Sequence, residues 1–96
     1  MTRTEVLAWL GTRRPAAPAA LRAHIERAVT DAAAPLPAQL AGLGRALLGN
    51  VASRPQGGRE LALDLLAADA FITYAFEAQA EEDVGGVARL AEGVMP

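Results

Sequence analysis

Residues 59–82 contain neither glycine nor proline, and their apolar positions repeat at helical spacing. At about 100° per residue, one stripe of the predicted helix consists of Leu61, Leu65, Ala68, Ile72 and Phe76. The opposite side is also apolar and consists of Leu63, Leu66, Ala67, Ala70, Phe71 and Tyr74. A helix that is apolar on two sides needs packing partners on both. We therefore predict a central helix at about 59–82, with the first stripe in the core and the second set of six residues contacting another protein chain.

Shorter patterns predict two helices before this one. Thr2 and Glu5 have the spacing of a capping box, which begins a helix, and Gly11 could end that helix in the left-handed conformation. A second helix would follow the Pro-Ala connector at 14–20. Its buried stripe would be Leu21, Ile25 and Val29.

A third helix is predicted to begin near Pro37. Its apolar repeat consists of Leu36, Leu40, Leu43 and Leu47. Gly42 and Gly44 interrupt it at a cost of roughly 1 kcal/mol each relative to alanine, which close approach of the 59–82 helix could offset. A polar breaker at 52–58 and a last short helix at about 84–92 complete the pattern. The fold class expected is all-α: a bundle of four to five helices forming a single domain, residues 1–96.

Asp69 is the most informative polar residue, because it lies near the first stripe of the 59–82 helix. A buried carboxylate is costly unless it is paired and hydrogen-bonded. We predict a buried polar network that consists of Asp69, Thr73, Arg22, Arg27 and Arg45. The acidic positions at 77 and 81–83 oppose the helix macrodipole, and we expect solvent and arginine partners there rather than a metal ion.

Composition adds a reason for association. The chain has 23 alanines in 96 residues, and each alanine buries little area on folding. The net charge of −2 gives no general attraction to nucleic acid. All nine cations are arginine, and the absence of cysteine excludes thiol chemistry and suits a reducing compartment. Charges interrupt every apolar run well before the ~18 residues of a membrane span.

These features favour a non-catalytic protein. The chain has one serine, Ser53, and one histidine, His24, without the motifs of a nucleophilic site, so no catalytic residue and no cofactor are predicted. We expect a cytoplasmic helical interaction or assembly module that forms a homodimer or higher oligomer, or binds another helical protein. One alternative is a nucleic-acid-associated regulator that uses the N-terminal arginines. A second alternative is an accessory subunit that binds a small ligand or metal.

Overall fold

The computed structural model describes residues 1–54 and 57–94, and every regular element within those residues is helical. The order along the chain is α1 (Arg3–Leu10), α2 (Ala19–Ala28), α3 (Leu36–Ser53), α4 (Arg59–Glu82) and α5 (Val87–Val94). A single 3-10 turn at Val84–Gly86 joins α4 to α5. The most extensive packing in the molecule is between α3 and α4. The prediction of a small all-α bundle built around a helix at 59–82 is confirmed.

α3 and α4 form an antiparallel hairpin. Arg54, just after α3, reaches Asp64 near the start of α4, whereas Gly44 lies against Ala68 and Ile72 further along. A Cβ atom on Gly44 would stand 2.7 Å from Cγ1 of Ile72 and 3.2 Å from the carbonyl oxygen of Ala68. The predicted close approach is therefore present at Gly44. It is absent at Gly42, because no atom of the described residues lies within 4 Å of a Cβ placed on that glycine.

The side of α4 that packs into the core lies between the two predicted stripes. Its buried residues are Asp64, Ala67, Ala68, Phe71, Ala75 and Ala78. The assignment of the Leu61–Phe76 stripe to the core is wrong for Leu65, which is exposed. The physical reason is that the four alanines of the buried row let α3 approach the axis of α4 closely; Phe71 is the one large apolar side chain in that row, and the leucines lie beside it.

The predicted capping box begins α1. The Glu5 N–H donates to Oγ1 of Thr2 at 3.2 Å, and the Thr2 N–H donates to Oε1 of Glu5 at 2.9 Å. Donation from the Thr2 backbone lowers the pKa of the Glu5 carboxyl below its ordinary value. Gly11 does cap α1, but its φ of −63° is right-handed and not the predicted left-handed conformation.

Polar contacts attach α1 to the end of α2, and attach the segments beside both helices to α3. The guanidinium of Arg3 donates to the carbonyl oxygens of Val29 and Glu26 at 3.1 and 3.0 Å, which satisfies acceptors at the end of α2. Buried Gln39 on α3 donates to the carbonyl oxygens of Met1 and Thr30. The core beneath these contacts is apolar, and its largest fully buried side chains are Phe71, Leu40, Val6 and Val29.

The other helix boundaries follow the expected breakers. Pro18 and Pro35 precede the first residues of α2 and α3, and α3 runs on to Ser53. Of the predicted breaker at 52–58, residues 55 and 56 lie outside the described residues. Asp83 accepts the Gly85 N–H at 3.0 Å, and the 3-10 turn delays α5 to Val87.

Candidate functional site

The side of α4 opposite its buried row exposes large apolar side chains. Leu65 and Leu66 are 49% and 53% exposed, and Leu48 on α3 is 38% exposed. Ala62 and Asp69 lie three or four residues from these leucines on α4 and are exposed too. We define the outer face of α4 as Arg59, Ala62, Leu65, Leu66, Asp69 and Thr73. Adjacent exposed leucines in a chain poor in large side chains mark this face as a candidate contact surface.

Opposite charges lie at the two ends of this leucine pair. Arg59 precedes Leu65 by nearly two turns, and Asp69 follows Leu66 by one turn. The two charges are about 15 Å apart along the helix axis, too far for contact within one chain. Neither residue takes part in a salt bridge within residues 1–54 and 57–94.

The structure separates the six residues predicted to contact another chain. Leu66 is exposed on the outer face. Ala67 and Phe71 have no exposed surface, so their assignment to an intermolecular contact is wrong. Leu63, Ala70 and Tyr74 are half-buried along one flank of α4. Tyr74 meets Trp9 of α1 edge-on, with ring centroids 6.2 Å apart, so part of this flank is covered by the same chain.

The predicted buried network is also wrong. Its members Asp69, Thr73, Arg22, Arg27 and Arg45 are all exposed, and the buried aspartate of α4 is Asp64. The two aspartates are five positions apart, which places them about 140° apart around the helix. Asp64 therefore lies in the row of small residues that packs into the core, whereas Asp69 points to solvent.

Asp64 joins three parts of the chain. Its Oδ1 lies 2.5 Å from Nε2 of His24 on α2, and its Oδ2 accepts from Nη2 of Arg54 at 2.7 Å. The other ring nitrogen of His24, Nδ1, lies 3.2 Å from Nη2 of Arg27 and 3.7 Å from Oε1 of Glu60. A guanidinium can only donate, so Nδ1 accepts from Arg27 and Nε2 carries the proton donated to Asp64. The His24–Asp64 contact thereby holds α2 to α4, the Arg54–Asp64 contact holds the end of α3 to α4, and the Arg27 contact lies within α2.

Arg13 neutralises part of the acidic end of α4. Its guanidinium lies over the Trp9 ring, 4.0 Å from the centroid, and reaches Oε1 of Glu81 at 3.1 Å and Oε2 of Glu77 at 3.5 Å. The expectation that acidic residues here have an arginine partner is confirmed for these two. Arg13 is consequently committed to contacts within the fold.

Within residues 1–54 and 57–94, no three His, Asp or Glu side chains cluster closely enough to hold a metal ion. None of the described helices combines the length and apolar character that crossing a membrane would require. No protein-family model, curated protein or solved structure matches this chain.

Proposed function

We propose that this protein is a non-catalytic helical assembly module that pairs with a second copy of itself through the outer face of α4. The observation that carries the proposal is the pair of half-exposed leucines, Leu65 and Leu66, between an unpaired Arg59 and an unpaired Asp69 of the described residues. A setting in the cytoplasm is part of the same proposal, and the absence of cysteine supports it.

The spacing of the charges favours a second copy as the partner. In a two-fold symmetric contact, residue i of one copy meets residue j of the other, and j meets i in return. If two α4 helices cross antiparallel near residue 64, Arg59 of each copy lies opposite Asp69 of the other. The same register places the leucines of both copies near the symmetry axis, where they exclude water from each other.

The expected complex is reversible. Fully burying a leucine contributes about 1.5–3 kcal/mol, and roughly half of that remains to be gained at each of these positions. Exposed ion pairs add only about 0.2–1 kcal/mol each. Association also costs translational and rotational freedom, so we expect a dimer that dissociates on dilution and not a permanent one.

The first test introduces negative charge into the apolar part of the outer face. The double substitution Leu65→Glu with Leu66→Glu should abolish any rise in mass with concentration, measured by sedimentation equilibrium, while the helical circular dichroism stays unchanged. Leu48→Glu is the matched control: it charges an exposed leucine on α3, outside the outer face, and should leave the association intact. A wild-type protein that is monomeric at every concentration would contradict the proposal.

A charge exchange tests the register. Arg59→Glu and Asp69→Arg should each weaken the dimer, because each places like charges opposite one another. Combining the two substitutions restores opposite charges only if Arg59 faces Asp69 of the other copy. A double variant that associates no better than the single variants would exclude the antiparallel register.

A further inference from the structure

A cleft of about 220 Å³ lies between the end of α1, the connector at 11–18 and α2. Leu7, Leu10 and Ile25 line it with apolar surface, and Tyr74 of α4 contributes to the lining. Three arginine side chains line the same cleft: Arg13, Arg14 and Arg22. Its volume is below the ~300–1,000 Å³ of sites for drug-sized molecules, so only a small ligand fits.

The guanidinium groups of Arg14 and Arg22 each use only part of their N–H donors in hydrogen bonds within the protein. Nη1 of Arg14 donates to the carbonyl oxygens of Gly11 and Arg13 at 3.0 and 2.8 Å. Nε of Arg22 donates to Oε1 of Glu26 at 3.0 Å. Among the described residues, no acceptor is bound by Nε or Nη2 of Arg14 or by either Nη of Arg22. Each anchored guanidinium thus retains donors for a ligand, and anchoring reduces the side-chain freedom lost on binding.

Charge balance limits the ligand. Arg13 is already occupied by Glu77 and Glu81, outside the lining of the cleft. The remaining charged residues of the lining are Arg14, Arg22 and Glu26, which leaves one net positive charge. One net positive charge beside an apolar wall suits a molecule with one negative charge and a short apolar chain. The planar guanidinium group of arginine binds carboxylates through two parallel hydrogen bonds.

We propose that this cleft binds a small organic carboxylate. Its carboxylate is held by Arg14 and Arg22, and its apolar chain lies against Leu7, Leu10 and Ile25. This site is separate from the outer face of α4 and does not depend on self-association.

Hexanoate is the probe that tests the site, with binding measured by calorimetry and by the Nε–Hε NMR signals of arginine. Hexanoate should bind saturably, and should bind more tightly than hexanol, which lacks the charge, or acetate, which lacks the chain. Arg14→Gln and Arg22→Gln should each weaken hexanoate binding about tenfold, the effect of losing one charge-assisted hydrogen bond. Glu26→Gln should strengthen binding, because it raises the net charge of the cleft from +1 to +2 while the amide oxygen can still accept from Nε of Arg22.

Arg45→Gln is the matched control, since Arg45 is an exposed arginine on α3 that does not line the cleft. It should bind hexanoate as the wild type does. Equal affinity for hexanol and hexanoate would overturn the proposal by showing that the arginines do not contribute. Absence of saturable binding would overturn it, and so would an Arg45→Gln variant as weak as Arg14→Gln. Circular dichroism of each variant verifies that a lost affinity is not lost folding.

Discussion

Two aspartates five residues apart on α4 have opposite environments. Asp64 is buried and accepts hydrogen bonds from His24 and Arg54, whereas Asp69 is exposed and has no salt-bridge partner among the described residues. Arg54 is 55% exposed and can turn to water if its partner is lost. His24 is 8% exposed and cannot turn to water. Its buried N–H therefore determines how much stability is lost when Asp64 is removed.

Replacing Asp64 by alanine should lower the free energy of unfolding by about 1–3 kcal/mol, the cost of leaving a buried donor without an acceptor. In a domain of this size each kcal/mol lowers Tm by roughly 4–8 °C, which a thermal melt resolves. Asp64→Asn should be milder, because its amide oxygen still accepts from Nε2 of His24. Asp69→Ala is the control on the same helix and should change stability by no more than about 0.5 kcal/mol. Equal losses from Asp64→Ala and Asp69→Ala would show that burial does not set the difference.

At the scale of elements, local sequence signals predicted much of the fold. Helix starts depend on backbone conformation and hydrogen bonding within a few residues. The signals of this kind are the capping box at Thr2, the prolines before α2 and α3, and the glycines before Arg59. The length of α4 followed from the same rules. Its orientation did not, because hydrophobicity ranks leucine above alanine, whereas the contact with α3 selects the smaller residue.

A signal for the correct face was present in the sequence. Asp64, Ala67, Ala68, Phe71, Ala75 and Ala78 repeat at spacings of three and four. Four alanines at helical spacing on one side of α4 indicate a close contact between two backbones, and Ala68 makes that contact with Gly44. The pairing of Asp64 with His24 could not be read in this way, because it joins residues 40 apart and depends on how α2 lies across α4.

Gly42 and Gly44 provide a matched test of the close contact between α3 and α4. Gly42→Ala should raise the free energy of unfolding by about 0.5–1 kcal/mol, since alanine is the better helix former and the space is open. Gly44→Ala gains the same propensity but places Cβ against Ile72 and the Ala68 carbonyl, and overpacking typically costs about 1–3 kcal/mol. We therefore expect denaturant melts to give a higher free energy of unfolding for Gly42→Ala, and a lower one for Gly44→Ala, than for the wild type. Equal stabilisation by both would mean that the helices separate at little cost.

At the scale of the molecule, burial is unevenly distributed over the helices. α3 and α4 share the most extensive contact, and both have several buried side chains. Val6 of α1 and Ile25 of α2 are buried in the core, the His24–Asp64 contact holds α2 to the hairpin, and Arg3 links α1 to the end of α2. α5 has no buried residue, and its Val87 and Leu90 are only half-buried. Different parts of the bundle should therefore open at different free energies.

Native-state hydrogen exchange can measure this hierarchy. The amides of α5 should exchange through a local opening whose free energy is well below that of global unfolding, because few apolar contacts are lost when the helix detaches. The amides around Phe71 of α4 and Leu40 of α3 should exchange only on global unfolding, since both side chains are fully buried. In low concentrations of denaturant the α5 amides should show little denaturant dependence, whereas those of the hairpin should follow the full slope of global unfolding. If α5 instead exchanged with the same free energy and slope as α4, it would belong to the same cooperative unit, and its half-buried contacts would contribute more than their exposure indicates.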